Sequence, residues 1–382
     1  MGNNHNFDEI RPFYDSELQS AFEQLTSDVE FMAIIQKTFP QIQPNDFVKQ
    51  LKNINSKTEV QRQFFFPLLR QLEQQTSSGI TFSGLDSLDK NKAYLFISNH
   101  RDIILDSAFL NYILLGNGFN TTEIAIGDNL LIKNWIRTLV RINKSFIIQR
   151  NAPIRQMVQI LARQSAYIHH TITERNQSIW IAQREGRAKD SNDRTQESLL
   201  KMFVLGQSNT FIENIQKLNI CPLTISYEYD ACDYLKAKEF QQKRDIENFK
   251  KSPMDDFINM KQGLEGFKGK IHFHFCGDIS KEISLLKGNK NEQVTETANI
   301  IDRKIHSNYQ IFKNNMIAYD ILLNKEKYAT NYSQDEKIAF ENYLQKRIEL
   351  IDLENKDITF LKQKMLEMYA NILINKEIAT SL

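Results

Sequence analysis

The chain reads as an α/β protein: a mixed, mostly parallel central sheet flanked by helices, with helical extensions at both ends. Two observations predict it. From about residue 80 to about residue 285, short runs of β-branched and aromatic residues alternate with longer amphipathic ones, the pattern of strands joined by covering helices. The residues before and after lack such runs and carry apolar side chains at helical spacing. The expected organisation is an N-terminal helical region (1–79), an α/β domain (80–285) and a C-terminal helical extension (286–382).

In order, "DSELQSAFEQLTSDVEFMAIIQKTF" predicts a helix whose first turn Asp15 or Ser16 can cap. "PNDFVKQLKNI" and "EVQRQFFFPLLRQLEQQ" continue the pattern, and Pro67 predicts a kink or a stop. Strands are expected over "GITFSGL", "AYLFIS", "TEIAIG", "SFIIQ", "SIWIAQ", "ICPLTISYE" and "KIHFHF". Between them, "DIILDSAFLNYILL", "NLLIKNWIRTLVRI", "PIRQMVQILARQSAYIHHTITER" and "TQESLLKMFVL" read as helices. The Lys-, Asn-, Glu- and Leu-rich closing segment reads as a helical appendage. No internal repeat and no Gly-rich phosphate loop is present.

With 382 residues, 41% of them hydrophobic, the chain can bury one large core or two moderate ones. A net charge of +1 points to no polyanion, so electrostatic partners must be sought in local clusters. Three cysteines without metal-ligand spacing suit a reducing, cytoplasmic setting and argue against a disulfide framework. The opening "MGNNHNFDEIRPFYD" has no apolar core of a signal peptide, and no run reaches the roughly 18 apolar residues that span a bilayer. Any membrane contact is therefore expected from the surface.

Ligands of open α/β sheets collect at the carboxyl ends of the strands. His100 sits at such an end, after "LFISN", with Asp102 and Asp106 close behind. A carboxylate that fixes an imidazole tautomer makes a general base; the alternative is that His100 and Asp102 are a turn and its cap. Either aspartate is near enough in sequence to serve. A second strand, "IWIA", runs into Gln183, Arg184, Glu185, Gly186, Arg187 and Lys189. Gly186 permits close backbone approach, and the cations offer fork and point-charge contacts to a phosphate. The alternative is a solvated charged loop.

Between Asn129 and Thr173 no acidic residue occurs, while seven basic ones do. Within this stretch Lys133, Arg137 and Arg141 recur every fourth residue beside Trp135, an arrangement suited to an anionic lipid surface or an acidic carrier, or to a core helix with a basic edge. No nucleic-acid reader motif is present. His272 and His274 share a strand face, but two ligands without a third make weak evidence for metal. His272 and His274 precede Cys276, but nothing else in the sequence marks a thiol as a nucleophile, and none is expected.

Taken in order, these pieces resemble the glycerophospholipid acyltransferase family, which acylates glycerol-3-phosphate or lysophosphatidic acid. "SNHRDIILD" resembles the family's His-x4-Asp motif through His100; "SFIIQR" supplies Arg150; "REGRAKD" resembles Glu-Gly-x-Arg through Glu185, Gly186 and Arg187; "ICPLTISYEY" supplies the proline-bearing strand. The similarity covers about residues 80–285. Two departures stand out. Five residues rather than four separate His100 from Asp106, with Leu105 at the family's aspartate position, and Ala188 takes the place of the family's arginine. One extra residue rotates a helical side chain by about 100°, so Asp106 reaches His100 only if the helix starts late.

The resemblance implies acyl transfer from acyl-carrier protein or acyl-CoA, a co-substrate rather than a cofactor, to a lysolipid or glycerol-3-phosphate hydroxyl. His100 would be the base and Asp106 or Asp102 its orienter. Arg150, Arg184, Glu185, Gly186, Arg187 and Lys189 would form the phosphate site. Lys133, Trp135, Arg137 and Arg141 would contact membrane or acyl donor, placing the protein peripherally on the inner face of the cell membrane. No metal and no nucleic acid is implied. A non-catalytic membrane or carrier-binding relative, and a metal-dependent hydrolase using His100, Asp102, His272 and His274, are the alternatives.

Overall fold

The computed structural model describes residues 6–150 and 153–381. Seven strands form one sheet: β1 (Ile80–Ser83), β2 (Leu95–Ser98), β3 (Glu123–Gly127), β4 (Ser145–Ile148), β5 (Ile179–Ala182), β6 (Ile220–Tyr227) and β7 (Ile271–Phe275). Each lies within one of the seven runs that the sequence marks. Their order is β1-β7-β6-β2-β5-β3-β4. All neighbours are parallel except β6 and β7, so the carboxyl ends of β2 to β6 share one edge.

Alternation along the central strands builds two cores. Leu95, Ile97, Ile179 and Ile181 face one side, where they meet the helices Ile154–His169, Glu197–Phe203 and Lys290–Ser307. Phe96, Trp180, Leu223 and Ile225 face the other, covered by the helices Phe66–Thr76 and Leu105–Gly116. The sheet is therefore sandwiched, as parallel sheets require.

Several local expectations are corrected. The first helical run is two helices, Leu18–Thr26 and Val29–Thr38, because Asp28 leaves the helical region and accepts the Phe31 N–H at 3.0 Å. At the chain's first turn the cap is Glu17, which accepts the Tyr14 N–H; Asp15 instead receives Lys57. The chain does not stop at Pro67, which sits in the first turn of Phe66–Thr76 just after a π-helical turn, Gln61–Phe65. The helical path runs unbroken from Lys57 to Thr76, and the wider π turn just before Pro67 is where its missing amide is accommodated.

The closing segment is helical but not an appendage. Helix Lys290–Ser307 puts Val294, Ile301 and Ile305 into the main core, and the Thr224 hydroxyl on β6 donates to the Ile305 carbonyl at 2.9 Å. The last helices, Lys313–Leu323, Gln334–Glu349 and Ile358–Ser381, form their own core and clasp Asp233–Asp245, one of two helices, with Pro253–Glu265, that join β6 to β7.

Candidate active site

β2 is buried throughout and delivers Ser98 and Asn99, both fully buried, to the carboxyl edge. Asn99 then pairs with β6 through its side chain: Nδ2 donates to the Ile225 carbonyl and Oδ1 accepts the Ile225 N–H, each at 2.8 Å. The ladder is thus carried one residue past the strand, and His100 leaves the sheet from a fixed point.

The helix that follows begins late, at Leu105. Before it, Asp102 Oδ1 accepts the N–H groups of Ile104 at 2.9 Å and Leu105 at 2.8 Å, holding a tight polar turn. This turn absorbs the extra residue, so Asp106 lands in the first helical turn with Oδ2 2.8 Å from His100 Nδ1. The same oxygen accepts the N–H groups of Arg101 at 2.6 Å and Asp102 at 3.1 Å. The choice left open in the sequence is thereby resolved in geometry: Asp106 meets the imidazole, and Asp102 is the cap. Burial, and then the charge of Asp106, push the Asp102 carboxyl above the usual range.

With Nδ1–H given to a carboxylate, Nε2 is the ring nitrogen left to take a proton. The ring stands edge-on to Trp180, centroids 5.6 Å apart, and Trp180 Nε1 donates to Ser98 Oγ at 3.0 Å. The His100 side chain keeps 13% exposure. The Tyr227 hydroxyl at the end of β6 is buried beside Asp106; burial and then that charge hold its pKa well above normal.

The other candidates follow neighbouring strands onto this edge, with different fates. Arg187 Nη2 donates to Asn259 Oδ1 at 2.9 Å, while Nη1 is buried without a partner. Burial works to lower its pKa, and Cys232, Asp102 and Asp230 more than offset that, leaving it raised. Arg184 Nε is likewise buried and unpartnered. Arg150 Nη1 lies 3.3 Å from Glu185 Oε1, and its N–H points at the Asp128 carboxylate. Gly186 has φ +69°, left-handed backbone, with open space where a Cβ would be. Lys189 departs from expectation: its ammonium is bound to Glu239 at 2.8 Å, and burial lowers its pKa.

The helix expected to contact membrane or acyl donor, Asn134–Ile142, finds partners within the chain. Its apolar face, with Trp135, Leu139 and Ile142, lies in a core made by the N-terminal helices. Lys133 and Trp135 both bond Glu30, and Arg141 donates to the carbonyls of Asp8 and Arg11 while covering the Phe13 ring. Arg137 lines a surface hollow with Phe13, Gln24 and Arg141. The first forty residues supply counter-charges and apolar cover to this helix, while Lys133 and Arg137 stay exposed.

Sequence reasoning missed the lid over this edge. In Pro253–Glu265 the Gly263 backbone lies so close to Asp102 that a Cβ would collide with its carboxylate, and Asn259 holds Arg187. A lone glycine within a helical pattern was the available signal. All three cysteine thiols are pushed up by burial, Cys232 and Cys276 to about 11, which makes none a ready nucleophile. His272 and His274 bond Ser83 and Thr81. Among the described residues there is no group of three His, Cys, Asp or Glu side chains placed to hold a metal ion.

Residues 79–226 match the family model described as Acyltransferase. Over that stretch the chain is similar to acyltransferase-family domains. The matched stretch contains β1 to nearly all of β6, and with them His100, Asp106, Arg150 and Arg187. Among solved structures, the chain is similar to the 1-acyl-sn-glycerophosphate (LPA) acyltransferase, PlsC, from Thermotoga maritima, at 10% identity and a TM-score of 0.37 over 76% of this chain and 94% of that chain. A search of curated proteins found no match. Among the described residues, no helix is long and apolar enough to cross a membrane.

Proposed function

We propose that the protein transfers a fatty acyl group from an acyl thioester, acyl-carrier protein or acyl-CoA, to a hydroxyl of a glycerol-phosphate acceptor, lysophosphatidic acid or glycerol-3-phosphate, in phospholipid synthesis. The observation that carries this reading is the His100–Asp106 pair, 2.8 Å apart, on the edge that also bears Arg187 and Arg150.

His100 Nε2 takes the hydroxyl proton as the acceptor oxygen attacks the thioester carbonyl. The tetrahedral adduct then expels the thiolate, which recovers the proton from the imidazolium. Asp106 holds the tautomer and stabilises the transient charge. No acyl-enzyme is needed, in keeping with three buried thiols of raised pKa. The unpartnered Arg187 Nη1 and Arg184 Nε are donors for the acceptor phosphate, and Arg150 is a third cation that a phosphate can draw from Glu185. Lys189, already neutralised by Glu239, is left out. A lysolipid acceptor agrees with peripheral association at the inner face of the cell membrane.

The test is an acyl-transfer assay of wild type and His100→Ala with glycerol-3-phosphate and lysophosphatidic acid, each with acyl-carrier-protein and CoA donors. Transfer by the wild type to at least one acceptor, abolished in the variant, is expected. Binding of donor without turnover by the wild type would replace this reading with a non-catalytic one.

A further inference from the structure

Arg101, between His100 and Asp102, is buried, and its guanidinium bonds neither of them. Its Nη2 lies 2.5 Å from Asp193 Oδ2 and 3.2 Å from the Tyr309 hydroxyl, which itself donates to Asp193 Oδ2 at 3.0 Å. Asp193 lies on the loop that carries Arg184 and Arg187, and Tyr309 follows helix Lys290–Ser307. Three segments remote in sequence thus meet at one buried triad. An ion pair so far from water is costly to form and more costly to halve, so its members are held where the geometry puts them.

The C-terminal helices grip the same loop at four further points. His306 Nε2 donates to the Asp193 carbonyl at 2.8 Å, with its ring stacked on Tyr309. The Asp302 carboxylate accepts both the N–H and the hydroxyl of Thr195, at 2.8 and 2.6 Å. From helix Ile358–Ser381, Asn371 Nδ2 donates to the Asp190 carbonyl at 2.8 Å, and Asn375 Oδ1 accepts Arg194 at 3.4 Å. Lys376 completes the clasp by donating to the Tyr309 carbonyl at 2.7 Å. At its base the loop is closed by Gln196, whose side chain accepts the Glu185 N–H at 2.7 Å.

We propose that Tyr309 and Asp193 are positioning residues, through which the C-terminal helices set the His100 turn and the Arg187 loop at their working separation. This rests on the acyl-transfer reading of the same site. Neither residue touches substrate. Arg101 transmits the restraint, because its own N–H is one of the three donors on the Asp106 oxygen that orients His100. The C-terminal helices, which the sequence left without a role, become the rear wall of the active site.

Tyr309→Phe tests this, since it keeps the ring and its stacking on His306 and removes one hydroxyl. A hydrogen bond to a charged group lost from a positioning network is expected to lower kcat about tenfold, with the acyl-donor KM changed by less than about twofold. The His100 Nδ1 proton, followed by NMR, should broaden as its bond to Asp106 loosens. Adding Asp193→Asn to Tyr309→Phe should cost less than the two changes made separately, the mark of a shared pathway. Wild-type kcat per folded molecule together with an unchanged His100 resonance overturns the proposal. If the wild type transfers no acyl group, the functional reading falls, and the resonance alone decides: broadening supports positioning, no change refutes it.

Discussion

Two histidine sites lie on one sheet and use the same ring in opposite ways. His100 is bonded to a buried carboxylate. His272 and His274, on β7, are bonded only to hydroxyls. Thr81 Oγ1 donates to the Ile271 carbonyl at 3.2 Å, so it accepts from His272 Nδ1. His272 Nε2 must then accept the Ser83 hydroxyl, and Ser83 Oγ accepts from His274 Nδ1. Every donor finds an acceptor only while the His272 ring is neutral, and burial lowers both pKa values. A carboxylate partner lets an imidazole gain charge during a reaction; hydroxyl partners make it a fixed cross-strand tie.

Substitutions can break or sharpen this contrast. The largest expected effect is at His100, where His100→Gln should lower kcat by about 10²–10⁴-fold, the usual worth of a general base. His272→Gln and His274→Gln should leave kcat within about twofold, both measured by steady-state kinetics, since neither ring reaches the reacting atoms. Next comes Arg187→Met, which removes a fork with one unpartnered nitrogen. It should raise the acceptor KM roughly 10–100-fold, the worth of a charge-assisted hydrogen bond, and leave the donor KM alone. An unchanged acceptor KM would move the phosphate site elsewhere.

Gly263→Ala places a methyl against the Asp102 carboxylate and should cost about 1–3 kcal/mol of stability by overpacking, read from denaturant melts. The smallest effect belongs to the hydroxyl-tied pair. Because their folded pKa values lie below the free value of about 6.5, the folded state binds fewer protons than the unfolded one. Their contribution to stability is complete above that pH and declines as the pH falls below it. Stability of the His272→Asn/His274→Asn variant should therefore change less between pH 7 and pH 5, by roughly the lost share of that linkage, than stability of the wild type. An identical pH dependence would mean that the two rings are not held neutral.

What the sequence exposes here is what local pattern can encode. The strand runs were legible because β-branched and aromatic clusters such as "AYLFIS" and "SIWIAQ" end in polar residues, and that ending marked His100 and the Arg187 loop at once. The partner of His100 was not legible. It depends on whether the helix begins at Asp102 or at Leu105, and the Asx-type turn that decides this is formed by one side chain. The fate of the basic stripe was hidden for another reason: Glu30 and the carbonyls of Asp8 and Arg11 come from over a hundred residues away. Helix Asp233–Asp245 carries too few apolar residues for its periodicity to stand out, whereas Met254, Phe257, Ile258 and Leu264 do mark Pro253–Glu265, the helix that covers the site; what local pattern does not encode is where it packs.

The central claim is that Asp106, and not Asp102, serves His100. Acyl-transfer kinetics of Asp106→Asn and Asp102→Asn test it side by side. Asp106→Asn should lose about 10²–10⁴-fold in kcat/KM, because an amide cannot stabilise the imidazolium. Asp102→Asn keeps an oxygen for the Ile104 and Leu105 amides, and asparagine caps about as well as aspartate, so its kcat/KM should stay within about threefold of wild type. Equal losses in the two variants, or the larger loss in Asp102→Asn, would contradict the account.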